Sequence, residues 1–320
     1  MPAAMVEHAP VLLNESIEAL KVRPEGVYVD CTLGLGGHAR EILRRLEGTG
    51  RLIAIDRDPE SLDIARAQLS EMPGNLSTYR DNFKNLPLLL NNLGISGIDG
   101  CLVDLGVSRY QLTDPGRGFT FREGGPLDMR MDRDQKTSAA DLVQRLNVQE
   151  LTDLFREYGE EPEAARIARA LVEERRHLRF RTTSELAEFV ARVKKRRSQL
   201  HPATLVFQAL RIAVNQELEG LDRFLSRTIQ CLSPRGRLVV ISFHSLEDRI
   251  VKKTFQLEAG KCICFQPGDR CRCPRLKNVE ILTRKPVTAS GPELEDNPSA
   301  RSAKMRAVER VSSENHGRVN

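Results

Sequence analysis

A short apolar segment runs directly into a glycine-rich turn and then into a helical pattern, and this arrangement most constrains the fold. It reads VYVDCTLGLGGHA over residues 27–39. Gly34, Gly36 and Ala39 fit the dinucleotide fingerprint G-x-G-x-x-A, and Asp56 lies twenty residues after Gly36. Glycine lets the backbone approach a ligand closely, and an acidic residue after the second strand can accept both hydroxyls of a ribose. The pattern predicts a site for a nucleoside-bearing cofactor.

The surrounding sequence alternates between strand and helix patterns. Apolar runs predict buried parallel strands at Val27–Asp30, Leu52–Asp56 and Cys101–Leu105, and helical patterns at Ala39–Leu46 and Pro59–Leu69 lie between them. This alternation is typical of a doubly wound α/β sheet, in which ligands bind beyond the carboxyl ends of the strands. A tight turn without a ligand would give the same glycine match, but this context favours the cofactor.

The alternation stops near Gly118, and residues 138–197 read as consecutive helices. A strand pattern resumes at Gly236–Phe243, after a helix expected over Leu218–Leu232. The sheet is therefore predicted to be interrupted by an insertion. The expected domains are a discontinuous α/β domain, residues 1–134 with 214–320, and an inserted helical substrate-recognition domain, residues 135–213.

The ends of the chain and its composition add weaker expectations. The tail from Lys285 mixes Pro, Ser, Gly and charges, so we expect it to wrap the surface or to be partly flexible. No apolar run approaches the roughly 18 residues that a bilayer span needs, and the start lacks the apolar stretch of a signal peptide. The cytoplasm is the expected location. The formal charge of +5 weakly favours a polyanionic partner.

Three further residues lie at or after strand ends and are candidates for the site. Asp30 ends the first strand. A dinucleotide would bring a pyrophosphate, which needs the free N-terminus of the helix, whereas S-adenosylmethionine needs an acceptor for its ammonium group. Asp30 suits the second of these cofactors. Phe83 comes after another expected strand, which lies between Leu69 and Phe83. Its ring could cover an adenine face or simply pack in the core. Asp104 ends the last strand before the insertion and could contact a ligand, cap a helix or hold a loop.

At this point the chain resembles the RsmH/MraW family, whose members methylate N4 of a cytosine in bacterial 16S rRNA. The matching motifs are GLGGHA (34–39), IDRDP (55–59), DLGVS (104–108), RGFTF with GPLDMRMD (117–132), HPATLVFQALRIAVNQEL (201–218), SFHSLEDRIVK (242–252) and RSAKMR (301–306). The resemblance spans nearly the whole chain, from His8 to Arg306.

The resemblance implies a Rossmann-like class I sheet of the type that uses S-adenosylmethionine, interrupted by the all-helical insertion. It also implies transfer of a methyl group to a decoding-centre cytosine of 16S rRNA, within the small ribosomal subunit. The positions that match cofactor contacts of the family are Gly36, Gly37, His38, Asp56, Phe83, Asp104 and Gln111. Two departures are visible: Arg109-Tyr110 stands where the family usually has Ser-Pro, just before Gln111, and Leu205 replaces a usual Arg.

The methyl group of a sulfonium is already activated, so catalysis mainly needs in-line positioning of the acceptor nitrogen and a route for its proton. We expect the Asp104 carboxylate, with the adjoining loop carbonyls, to draw electron density onto N4. The D/N-P-P-Y/F motif usual in amino methyltransferases is absent here. His38 and His244 could act as a general base, but structural or cofactor-orienting roles are favoured.

Basic residues are the candidates for RNA contact. They cluster at residues 175–181 and 194–197, and Arg301, Lys304 and Arg306 lie near the end. RNA contact is favoured for the insertion over plain solvated helix faces. Arg130, in GPLDMRMD, could meet a phosphate or a base edge, or could anchor its loop through a salt bridge.

Four of the seven cysteines form two C-x-C pairs, Cys262 with Cys264 and Cys271 with Cys273. Four thiolates could hold a structural zinc ion. The C-x-C spacing is tighter than the common C-x-x-C, the intervening loop is short, and the family resemblance brings no required metal. We therefore assign no metal ligand and keep zinc as the alternative.

Two other functions remain open from sequence. The glycine fingerprint alone also fits an NAD-dependent oxidoreductase. The basic runs fit a non-catalytic RNA-binding module, which would leave the Gly34–Ala39 pattern and Asp56 unexplained. The sequence does not indicate the oligomeric state, so a homodimer is left open. The choice between naked rRNA and an assembled subunit as substrate is also left open.

Overall fold

The computed structural model describes residues 10–196, 199–264 and 276–312. The chain divides into two compact units, one formed by the residues up to Gly106 together with those from Gly220 onward, the other by Val107–Glu219. The sequence pattern places the division at 134 and 214 instead. The second unit therefore also contains the residues that come directly after the Asp104 strand.

The first unit is built on a seven-stranded sheet with strand order β3-β2-β1-β4-β5-β7-β6. Its strands are β1 (Val27–Asp30), β2 (Arg51–Asp56), β3 (Asn75–Arg80), β4 (Ile98–Asp104), β5 (Leu232–Ser242), β6 (Val279–Ile281) and β7 (Lys304–Arg310). Strands β1 to β5 pair in parallel, and β7 runs antiparallel to both β5 and β6. The predicted doubly wound sheet is confirmed, and its order reverses between β1 and β4.

Thirteen α-helices occur in the described part of the chain. They are α1 (Leu13–Leu20), α2 (Gly37–Leu46), α3 (Pro59–Leu69), α4 (Leu86–Asn92), α5 (Arg109–Thr113), α6 (Ala139–Arg145), α7 (Val148–Glu157), α8 (Ala164–Glu174), α9 (Thr183–Val193), α10 (Thr204–Asn215), α11 (Leu221–Cys231), α12 (Ser245–Glu258) and α13 (Gly291–Asp296). Helices α5 to α10 belong to the second unit. No helix among the described residues is both long and apolar enough to span a membrane.

Alternating side chains of the strands feed two apolar cores, because successive residues of a strand point to opposite faces. On one face Val29, Ile53 and Val103 pack with residues of α4 and α11. On the other face Leu52 and Leu102 pack with residues of α1 and α2. Burial of both faces explains why the central strands read as continuous apolar runs.

The tail differs from the expectation that it wraps the surface. Residues Lys304–Arg310 form β7, a strand inside the sheet, and Ala307 and Val308 are fully buried. Arg306 is held at this strand by an ion pair with Asp248 of α12, with 2.6 Å between Nε and Oδ1. The stretch contains several charged residues, so its sequence does not read as a buried strand. The fold accommodates these residues because their charges are paired within it.

The second unit has its own apolar core among its helices. A capping box begins α9, in which Thr182 Oγ1 accepts the Glu185 N–H at 3.3 Å. The Asn215 side chain accepts the Met131 N–H at 2.9 Å and donates to the Met129 carbonyl at 2.7 Å. Met129 has φ 63°, so these bonds hold the GPLDMRMD loop in a conformation that a methionine rarely adopts.

Candidate active site

The glycine-rich turn and Asp56 meet at the carboxyl ends of β1 and β2. The Gly34 N–H donates to Asp56 Oδ2 at 2.8 Å. Gly36 has φ +84°, and a Cβ there would come 2.9 Å from Leu69 Cδ1. Both the backbone angle and the close packing require glycine at this position. The turn beginning at Gly34 therefore lies beside the Asp56 carboxylate, as the sequence spacing predicts.

Asp56 is fixed by hydrogen bonds to both of its carboxylate oxygens. Besides the Gly34 bond, Oδ1 accepts the Asp58 N–H at 2.9 Å. Burial raises the pKa of Asp56, while these two backbone donors act in the opposite direction. Each carboxylate oxygen can accept a second hydrogen bond. The group can therefore take ribose hydroxyls without losing its protein partners.

Two further carboxylates, Asp30 and Asp104, end the neighbouring strands β1 and β4. Asp30 is 1% exposed, and Oδ1 accepts the Thr32 N–H at 3.1 Å. Asp30 Oδ2 and Asp104 Oδ1 are buried and have no hydrogen-bond partner among the described residues. They lie where the strand order reverses, which is the position of the ligand crevice in sheets of this kind.

Burial perturbs both of these carboxyl groups. Burial raises the pKa of Asp30 to about 7, and the charge of Asp56 contributes. The pKa of Asp104 is raised well above its ordinary range by burial and by the charges of Asp30 and Glu247. Three carboxylates thus crowd one edge of the sheet, and each disfavours the charge of the next.

His38 is a basic side chain close to Asp104, and it does not neutralise the carboxylate. Burial lowers the pKa of His38 to about 4, so the imidazole is neutral near pH 7. Because a carbonyl oxygen only accepts, the contact of 3.2 Å between His38 Nε2 and the Val11 carbonyl requires the hydrogen on Nε2. Nδ1, 3.8 Å from Asp104 Oδ2, then presents a lone pair.

The arrangement suits a ligand that carries positive charge. Among the ion pairs of the described residues Asp30 takes part in none, and Asp104 faces only the neutral His38. A buried carboxylate without a cation is unfavourable, so a bound cation would gain strongly from both groups. S-adenosylmethionine carries an ammonium and a sulfonium together with a ribose. The two unpartnered oxygens and the acceptor at Asp56 fit this molecule.

Phe83 packs against a neighbouring aromatic ring, as the core-packing interpretation predicts. It begins a short 3-10 helix after β3, and its ring centroid lies 4.7 Å from that of Phe224. The residue remains partly exposed. The contact with Phe224 and the partial exposure are compatible with both core packing and a role against adenine.

Gln111 belongs to the second unit, where it helps to cap α5. Its Oε1 accepts the Ser108 N–H at 3.0 Å, and its own N–H donates to Ser108 Oγ at 3.2 Å. The altered pair Arg109-Tyr110 occupies the first two positions of this helix. The helix forms despite the departure from the family pattern.

Two polar residues at this edge, Thr32 and Glu247, are not predicted from the sequence. Thr32 Oγ1 accepts the Asp104 N–H at 2.7 Å. Glu247 Oε2 accepts the Phe243 N–H at 2.9 Å. His244 is the N-cap of α12, and its Nδ1 accepts the Glu247 N–H at 3.4 Å, which supports a structural role. For Glu247 the signal available in the sequence is the segment after the strand, His-Ser-Leu-Glu, which is mostly polar.

Several candidate RNA-contacting cations prove to have structural partners. Arg130 makes two hydrogen bonds to Asp128, at 2.6 and 2.9 Å, as the loop-anchoring alternative predicts. Arg175 donates to the carbonyls of Val143 and Leu146. The residues of the same cluster that are exposed are Arg176, His177, Leu178, Arg179 and Arg181.

The cysteine pairs are only partly described. Cys262 and Cys264 are exposed. Cys271 and Cys273 lie outside the described residues, so the zinc alternative stays a hypothesis from sequence.

Comparison with known proteins gives a consistent match along the chain. The profile of the MraW methylase family matches residues 5–311. A protein named ribosomal RNA small subunit methyltransferase H, from Halothermothrix orenii, is 45% identical over 96% of this chain and 99% of its own length. The protein of that name from Thermomicrobium roseum is 47% identical over 95% of this chain and 94% of its own length.

Proposed function

The chain belongs to the MraW methylase family, and from that premise we propose that it methylates the exocyclic N4 of a decoding-centre cytosine in 16S rRNA. S-adenosylmethionine is the methyl donor. The observation that carries the proposal is the match to rRNA small subunit methyltransferases along almost the whole chain. The choice of base and atom rests on the motif resemblance.

The cofactor residues are assigned by the chemistry of their groups. Asp56 accepts the ribose hydroxyls, and the backbone of Gly36 and Gly37 contacts the donor. Asp30 and Asp104 face the cationic parts of the donor, which their unpartnered oxygens favour. The remaining assigned contacts are His38, Phe83 and Gln111. Phe83, which is partly exposed after β3, covers the adenine.

The methyl group of the donor needs no activation, so the protein supplies position and electrostatics. The N4 lone pair of cytosine is delocalised into the ring and attacks poorly. Asp104, as an acceptor for an N4 hydrogen, shifts electron density back onto the nitrogen. The N4–methyl bond forms as the sulfur–methyl bond breaks, and N4 then releases one proton toward Asp104 or water.

The substrate is proposed to be rRNA within the small ribosomal subunit, in the cytoplasm where subunits assemble. The exposed arginines of residues 175–181 are proposed to contact its phosphates. A monomer and a homodimer differ by a factor of two in mass, and light scattering of the purified protein decides between them.

The test is incubation of the protein with labelled S-adenosylmethionine and small subunits that lack the modification, followed by nucleoside mapping. We expect label in N4-methylated cytosine at a single position of 16S rRNA. Label on another base, or none with either naked rRNA or subunits, would contradict the proposal. RNA binding without transfer would support the non-catalytic module, and binding of NAD would support the oxidoreductase; family membership favours neither.

A further inference from the structure

The segment before α1 crosses the glycine-rich turn and touches it at two points. A Cβ on Gly37 would come 2.3 Å from Pro10 Cγ, so this proline lies directly over the glycine. The Val11 carbonyl accepts the Nε2 hydrogen of His38 at 3.2 Å. Residues 10–12, which we call the strap, therefore set the position of both the turn and the imidazole.

The strap is held by the tail of the chain. Leu12 is fully buried and has φ 53°, a left-handed conformation that leucine rarely adopts. Its N–H donates to Oε1 of Glu293, in α13, at 2.7 Å. Without this acceptor a buried N–H would lose its partner and the unfavourable backbone conformation would be free to relax. The carboxylate of Glu293 thus holds Leu12 in place.

We propose that Glu293 is a positioning residue for the donor site and acts through the strap on His38. The Val11 carbonyl fixes the hydrogen of His38 on Nε2. His38 Nδ1 therefore presents a lone pair to Asp104 Oδ2, 3.8 Å away, and cannot donate to it. The carboxylate stays available to the cationic donor; this last step rests on the proposed function.

Loss of Glu293 would free the strap and with it the Val11 carbonyl. His38 could then adopt the other tautomer, in which an Nδ1 hydrogen faces Asp104 and competes with the donor. Affinity for the donor should fall, while turnover at saturating donor should change little, because bound donor displaces the Nδ1 hydrogen from Asp104.

The test compares Glu293→Ala, Glu293→Gln and Glu295→Ala. The Gln variant keeps a side-chain oxygen that can accept the Leu12 N–H, and Glu295 is an exposed residue of the same helix. The readouts are the ¹⁵N spectrum of the His38 imidazole, the Kd of S-adenosylmethionine by calorimetry, kcat at saturating donor, and the thermal midpoint. A His38→Gln variant assigns the imidazole signal.

For Glu293→Ala we expect a mixed-tautomer spectrum, a Kd raised about tenfold, equivalent to one lost hydrogen bond, and kcat within about twofold. Glu293→Gln and Glu295→Ala should resemble the starting protein. An unchanged His38 spectrum together with an unchanged Kd in Glu293→Ala would overturn the inference. If the starting protein binds no donor at all, the proposed function fails, and the His38 spectrum alone still decides whether Glu293 sets the tautomer.

Discussion

Asp30 is buried and Asp104 is partly buried, and both lie close to other carboxylates and carry an unpartnered oxygen at the reversal point of the sheet. A fold keeps such groups at a cost to its stability unless a ligand offsets it. We interpret the pair as the determinant of charge selectivity at the proposed donor site. A neutral or anionic nucleoside would gain nothing from these carboxylates, whereas a sulfonium with an ammonium would.

Replacement of Asp104 tests the proposed role of this residue in both binding and catalysis. We expect Asp104→Ala to lower kcat by about 10²-fold or more, the size typical for loss of one electrostatic contact to the reacting group, and to raise the donor Kd. Single-turnover methyl transfer measures the first effect and calorimetry the second. Asp63→Ala, at an exposed position of α3, is the control. Normal turnover with normal donor affinity in Asp104→Ala would show the assignment to be wrong.

The raised pKa of Asp30 predicts a pH dependence whose sign is set by the direction of that shift. The folded chain favours protonated Asp30 up to about pH 7, so the free energy of unfolding without ligand falls as pH rises from the ordinary range of the group toward 7. A cation binds the carboxylate form. Donor affinity should therefore increase as pH rises toward about 7, by up to about tenfold per pH unit for each proton released.

Calorimetry at several pH values, in two buffers of different ionisation enthalpy, measures both the affinity and the released protons. Asp30→Asn should flatten the dependence, leaving the part due to Asp104. A donor Kd that stays constant between about pH 6 and 8 would exclude a titrating carboxylate in the site.

At the scale of the element, the turn between β1 and α2 is defined by backbone conformation and by close packing. Gly36 and Gly48 offer a matched pair, because both have positive φ, at +84° and +81°. A Cβ at Gly36 would press on Leu69, whereas a Cβ at Gly48 would meet nothing within 4 Å. A comparison of alanine variants at the two positions therefore separates the effect of backbone strain from any effect on donor binding.

Gly36→Ala and Gly48→Ala should each lower the free energy of unfolding, by about 1 kcal/mol from the positive φ, and Gly36→Ala by more. Only Gly36→Ala should weaken donor binding, because only that backbone lies in the proposed site. Urea denaturation and calorimetry measure these effects. Equal donor affinities in the two variants would remove the turn from the site.

The elements show what the sequence can and cannot predict. The turn beside Asp56 and the strand ends are predictable, because strand periodicity, glycine spacing and chain direction are local signals. The strand at Lys304–Arg310 is missed, since its charges are neutralised by partners distant in sequence, such as Asp248 for Arg306. The hydrogen bond between Leu12 and Glu293 joins residues 281 positions apart in the sequence, and no local pattern predicts it.

At the scale of the whole molecule, the distribution of cations predicts how the protein holds RNA. Phosphate contacts release counterions, so affinity should fall with salt by about 0.7 to 0.9 log unit per decade for each phosphate neutralised. The double variant Arg179→Ala/Arg181→Ala should weaken RNA binding and reduce this slope by about two such increments. Filter binding across a salt series measures the slope.

The matched control is Arg145→Ala/Arg156→Ala, which removes two exposed arginines of the same unit that pair with Asp141 and Asp153. It should leave both affinity and slope close to those of the unaltered protein. Equal slopes for the two double variants would place the RNA on another surface.

The most direct measurement is a calorimetric titration of the purified protein with S-adenosylmethionine, beside Asp56→Ala and a parallel titration with NAD. We predict saturable binding of one donor per chain, at least about tenfold weaker in Asp56→Ala, the effect of one lost charge-assisted hydrogen bond, and no binding of NAD. Absence of donor binding, or an affinity indifferent to the loss of the Asp56 carboxylate, would contradict the assignment of this sheet edge as the methyl-donor site.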